Sequence, residues 1–161
     1  MKVKVNNEWV EVPAFVTERG GGGGNFELLA HVVSDSTKGK FVELIPSCKG
    51  YKEIIIRREA PAAISQNVYI RMGNESAKPS IALTVLNSTR RFIWHIKFDP
   101  AITIIEQYKY NYADNMRCDT SVGICTYFGM TDAIMDDKLC VDFYNTTAQP
   151  DGEDYYVYGK K

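Results

Sequence analysis

The sequence lacks a long apolar run: no stretch approaches the ~18–20 apolar residues that a membrane span requires. Its Met-Lys-Val-Lys-Val opening is basic but has no apolar core of the kind a signal peptide carries. Membrane insertion and signal-directed secretion are therefore not expected, and a chain made and kept in the cytosol is. Charge imbalance is lacking too. A formal net charge of −1 and a pI near 6.1 produce no long-range field to gather nucleic acid or anionic lipid. Histidine is scarce, with His31 and His95 far apart, and the four cysteines, Cys48, Cys118, Cys125 and Cys140, include no Cys-x-x-Cys pair. Structural zinc needs clustered ligands, so no metal site is expected. The thiols could close two bridges in three ways. In a reducing compartment they are instead expected free and partly buried. No catalytic signature is present, and neither an enzyme nor a cofactor is expected.

What is abundant is aromatic and β-branched surface. Aromatics make up 12 % of the 161 residues, with ten Tyr against seven Phe and two Trp, and such residues favour strands and wet binding surfaces. Five consecutive glycines, Gly20 to Gly24, divide a short tab, residues 1–19, from a body, residues 25–161. Glycines bury nothing and lose the most backbone entropy on ordering, so the run reads as a joint whose ends lie ~12 Å apart. A plain surface loop or an engineered spacer is the alternative.

In the tab, Val3-Lys4-Val5 and Glu8-Trp9-Val10-Glu11-Val12 alternate on either side of Asn6-Asn7, a pair that tolerates positive φ. This pattern predicts a β-hairpin closed by Pro13. Two strands alone are marginal in water, so Val3, Val5, Trp9 and Val10 or Val12 call for cover from the body, a second copy or another protein.

The body reads as about ten short strands with turn signals at roughly the 8–12 residue spacing of a sandwich or barrel. Tyr51 to Arg58, with Ile54, Ile55 and Ile56 adjacent, suits a central strand buried on both sides or bulged. Arg91 to Phe98 alternates most strongly, setting Phe92, Trp94, Ile96 and Phe98 on one face and Ile93, His95 and Lys97 on the other. Thr131 to Lys138 allows one or two helical turns capped by Thr131. The expected fold class is all-β, an antiparallel β-sandwich of jelly-roll type preceded by the hairpin.

Several groups are candidates for chemistry. His95 could serve as a catalytic base or a ligand-contacting group, but no Ser or Cys in a nucleophile motif accompanies it, and the plainer reading is a partly exposed sheet-face histidine. Asp132, Asp136, Asp137, Asp142, Asp151 and Asp154 could gather around calcium, or they are solvated turn residues. Glu106 and Asp119 could pair as glycosidase acids only if the fold sets their separation. Tyr108, Tyr110 and Tyr112 fall at alternate positions, on one side of an extended strand, with Asn111, Asp114 and Asn115 at hand. Rings on one face stack on sugars while amides and carboxylates bond hydroxyls, which makes these six residues the candidate glycan contact. The plainer reading is a packed sheet face or an oligomer interface.

Two stretches carry a resemblance. Val3-Lys4-Val5-Asn6-Asn7-Glu8-Trp9-Val10-Glu11-Val12-Pro13 resembles the N-terminal tag of tail-fibre and receptor-binding-type proteins of phages and prophages of gut bacteria, where a similar hairpin precedes a glycine-rich or collagen-like stretch. Tyr155-Tyr156-Val157-Tyr158-Gly159-Lys160-Lys161 is similar to the closing strand of their β-sandwich heads. Asn7 stands where the family usually has a turn glycine, and no Gly-x-y repeat follows the tag. The resemblance implies a non-enzymatic virion or tail component assembled in the bacterial cytoplasm. Its partners would be a bacterial surface glycan and, through residues 1–19, other tail proteins; its state would be a homo-oligomer, with a trimer one option. The alternatives are a virion decoration domain without a receptor and a small glycan-active enzyme.

Overall fold

The structure, a computed structural model, describes residues 2–5, 8–11, 25–61, 66–75, 80–85, 89–99, 102–111, 118–128, 131–143 and 146–161. The joint Gly20 to Gly24 lies outside them. In the tab, β1 (Lys2–Val5) pairs antiparallel with β2 (Glu8–Glu11) as a separate two-stranded sheet. Val3 is opposite Val10 and Trp9 is opposite Lys4. In this register Trp9 is one step out of phase with Val3 and Val5 along the ladder.

The body contains β3 (Glu27–Val33), β4 (Phe41–Ile45), β5 (Glu53–Glu59), β6 (Gln66–Met72), β7 (Ser80–Val85), β8 (Thr89–Lys97), β9 (Ile102–Asn111), β10 (Cys118–Phe128), α1 (Asp132–Met135), β11 (Leu139–Phe143) and β12 (Asp154–Lys160). They form two antiparallel sheets, one ordered β10-β9-β8-β5-β12-β3 and the other β4-β11-β6-β7. The pairing follows a folded-back ribbon: β3 with β12, β4 with β11, β5 with β8 and β6 with β7. That nesting, with the ribbon wrapped so that β12 also pairs β5 and β11 also pairs β6, is a jelly roll. The β9–β10 hairpin extends its wider sheet by two strands.

The packed layer between the sheets draws on alternate residues: Ile54 and Ile56, Val68 and Ile70, Phe92, Trp94 and Ile96, with Tyr155 and Val157. Period-two burial in β5 leaves Ile55 half-buried on the opposite face, so the three isoleucines form an ordinary alternating central strand and not one buried on both sides. Thr131 caps α1, its hydroxyl accepting from Ile134 N at 3.3 Å. Cys48 and Cys140 are free, buried thiols, and burial pushes each up to about 12.

Polar groups are buried too, in the packed layer and on the outward face of the narrower sheet. Arg58 and Glu153 are both buried and joined by two hydrogen bonds, one of them Nε to Oε2 at 2.8 Å. Arg71 donates from Nε and Nη2 to Asp142 Oδ2 at 2.9 and 2.7 Å, and Lys40 Nζ lies 3.2 Å from Asp142 Oδ1. Asp142 is therefore a structural anion within the sheet and not a solvated turn residue.

Candidate functional site

The wider sheet turns one face away from the packed layer, and antiparallel register sorts the residues of that face into rows across it. One row runs Tyr158, Ile55, His95, Glu106; the next runs His31, Tyr156, Arg57, Ile93, Tyr108; and Lys160, Glu53 and Lys97 form a third.

His95 is the hub. Its Nε2 is 2.7 Å from Glu53 Oε2 and its Nδ1 is 3.6 Å from Glu106 Oε2. Lys160 donates to Glu53 Oε1 at 2.8 Å, Lys97 to Glu106 Oε1 at 2.9 Å, and the Tyr108 hydroxyl to Glu106 Oε2 at 3.0 Å. The edge of Phe26 meets the His95 ring with centroids 6.0 Å apart. The Lys97 bond, aided by Tyr108 and by the Lys97 and His95 charges, holds the Glu106 carboxyl below the usual range. Burial works to raise the Glu53 carboxyl, but bonds from Lys160 and His95 prevail and hold it low. Both are fixed anions at neutral pH, with side chains 24 % and 21 % exposed for Glu53 and Glu106, enough to meet a ligand.

In the neighbouring row the His31 and Tyr156 rings stack 4.3 Å apart at an angle of 4°, and the Arg57 guanidinium lies 4.7 Å from the Tyr156 centroid. His31 and Arg57 come from the strands on either side of β12, so both faces of the Tyr156 ring are occupied and neither is open to a sugar. His31 Nε2 is 2.7 Å from Asp154 Oδ1, and Arg57 pairs with Glu59. Tyr158, 1 % exposed, has a hydroxyl without a partner.

Of the six residues predicted for glycan contact, Tyr108 joins the His95 cluster. Tyr110 is two positions along β9, in register with Arg91 and Cys118. Asn111 ends β9 one step out of phase with the two tyrosines. Tyr112, Asp114 and Asn115 lie outside the described residues. The proposed acid pair is not assembled: Asp119 is opposite Lys109, out of phase with Glu106, whose β10 partner is Ile124. The acids suggested for calcium are dispersed, Asp142 on Arg71, Asp154 on His31 and Asp136 on Ser47, and no group of three metal-ligating side chains occurs among the described residues. Sequence reasoning missed Glu53 and Lys160 altogether. Their only signal was alternation in strands that later prove adjacent.

An open cavity of ≈ 570 Å³ lies between β3 and β4, with Val33, Lys38, Phe41, Glu43, Asn74 and Gln149 on its walls. Its polar groups are largely committed to one another: Asn74 and Lys138 donate to Glu43, and Gln149 donates to the Gly39 and Phe41 carbonyls. Comparison with protein-family models, with curated proteins and with solved structures gives no match to this chain.

Proposed function

We propose that the protein is a non-enzymatic component of a phage or prophage tail, in which the jelly roll attaches to a bacterial surface glycan and residues 1–19 dock to other tail proteins. The observation that carries this reading is the ordered cluster of Glu106, His95, Lys97 and Tyr108 on the outward face of the wider sheet. It combines an anchored carboxylate, two cationic or ring donors and a half-buried aromatic ring, which is the chemistry that grips a sugar's hydroxyls and its C–H face. Jelly rolls recur among viral capsid and lectin domains, which supports the class but not the ligand. A single shallow sheet-face site would bind weakly, and several copies on one particle would raise avidity by ~10²–10⁴.

The test is a glycan array probed with the full chain and with Tyr108→Ala and Glu106→Gln, followed by adsorption to host cells. Binding that falls at least tenfold in both variants, with their folds intact, supports attachment at this face. Undiminished binding in both would remove the site from the proposal, and no glycan bound by the wild-type chain would favour the decoration role.

A further inference from the structure

On the outward face of the wider sheet the charges stand in pairs. Lys97 is bonded to Glu106, Lys160 to Glu53 and Arg57 to Glu59, while Asp154 lies against His31. His95 links two of the pairs, with Nε2 on Glu53 and Nδ1 towards Glu106. This arrangement discriminates between kinds of ligand. A carboxylate or phosphate brought to Lys97 would stand beside Glu106, and an ammonium brought to Glu106 would stand beside Lys97, so either meets a like charge.

A hydroxyl escapes that penalty because it donates and accepts at once. The Lys97 side chain is 42 % exposed, and its ammonium has donors beyond the one given to Glu106. Glu106 accepts from Lys97 and from the Tyr108 hydroxyl, two of the roughly four positions a carboxylate offers. A donor and an acceptor with capacity to spare thus stand 2.9 Å apart at the surface. Adjacent hydroxyls on a sugar ring are separated by about the same distance, one hydrogen-bond length. Lys160 and Glu53 repeat the pair at 2.8 Å, but both side chains are less exposed than Lys97, and His95 holds the second Glu53 oxygen. They position His95 and do not open to a ligand.

β9 supplies the flanks. Ile104, Glu106 and Tyr108 alternate onto this face, all half-buried, and Ile104 is directly opposite Lys97. The polar pair is therefore bordered by an aliphatic and an aromatic side chain, which suits the C–H surface that surrounds the hydroxyls of a sugar ring.

We propose that this face reads a vicinal diol on an uncharged sugar, one hydroxyl accepting from Lys97 Nζ and its neighbour donating to Glu106. The diol rests on the attachment reading and narrows it. Two adjacent ring hydroxyls must both be free, so a chain whose linkages leave no such pair is not a ligand, and acidic sugars are disfavoured by the anchored carboxylate.

The experiment is a glycan array probed with the full chain before and after the printed glycans are oxidised with periodate and reduced with borohydride. That treatment opens rings with adjacent free hydroxyls and spares the others. Wild-type binding to neutral glycans that falls about tenfold or more on oxidation, and by a similar factor in Lys97→Met on untreated glycans, supports the diol. Binding that survives oxidation, is confined to acidic glycans, or is unchanged in Lys97→Met overturns the diol and leaves attachment standing. Should Lys97→Met fail to fold, the oxidation comparison decides alone. A wild-type chain that binds no glycan overturns both readings together.

Discussion

Removing the charge of Glu153 tests the account of the interior most directly. Arg58 is 0 % and Glu153 1 % exposed, so neither ion reaches water. The guanidinium spends Nε and Nη2 on the two carboxylate oxygens, while its Nη1 has no partner and the cation sits 5.5 Å from the Phe92 centroid. Burial and the Glu153 charge push the Tyr155 phenol well above its usual range, so Tyr155 stays protonated and donates to Glu153 Oε2 at 2.5 Å. Glu153→Gln keeps the side-chain volume but leaves the guanidinium uncompensated in the packed layer. Breaking a buried pair from one side costs about 3–5 kcal/mol. For a chain of this size that lowers Tm by roughly 6–20 °C. Arg58→Met removes the cation instead, and in the double variant no charge is left stranded. Urea unfolding of the four proteins in a double-mutant cycle is the assay. The double variant is expected to be more stable than the sum of the two single losses by about 2 kcal/mol or more. A Glu153→Gln loss under about 1 kcal/mol, or strict additivity, would refute the claim that this pair is desolvated and mutually dependent.

Gly159→Ala is expected to destabilise by about 1–3 kcal/mol through overpacking, read as a shift in urea midpoint. A Cβ there would come within 2.6 Å of Leu29 Cδ1 and 2.7 Å of Tyr51 Cδ1, and an unchanged midpoint would contradict this crowding. Acid should weaken the fold through carboxyls held low in the native state, Glu106 by Lys97 and Glu43 by Lys138. A depressed folded pKa gives stability that is present above the ordinary value of 4.5 and lost as pH falls through the folded one. Wild type should therefore exceed Glu106→Gln in stability at neutral pH and converge with it below that window. Parallel curves at all pH values would defeat the reasoning.

The strands were legible because most of them bury one face. Phe92, Trp94 and Ile96 alternate with His95 and Lys97 in the sequence and do so again in burial, since a period of two leaves no other way to cover the aromatic side. Folding class followed from strand number and turn spacing. Strand order was not legible, because pairing β3 with β12 joins residues more than a hundred positions apart, and nothing local to Ala30 encodes Val157 as its neighbour. The tab shows the same limit on a smaller scale. Its two strands were evident, but the register that separates Trp9 from Val3 depends on the turn.

The candidate site was legible in half of its parts for the same reason. Tyr108, Glu106 and His95 were each noticed singly, in different roles, and only the registers of β5, β8 and β9 set Glu53, His95 and Glu106 side by side. Acidic spacing along the chain pointed the wrong way twice. Glu106 and Asp119 are near in sequence but out of phase across a bulged hairpin, and Asp142, flanked by uncharged residues, is buried against Arg71 on the outward face of the narrower sheet. A carboxylate's role is thus set by the cation its strand neighbours bring to it. In β11 that cation is Arg71, buried with Asp142 on the outward face of the narrower sheet, and makes a structural pair; on the outward face of β9 it is Lys97, half in water, and the same chemistry leaves a carboxylate fixed in place and still within a ligand's reach.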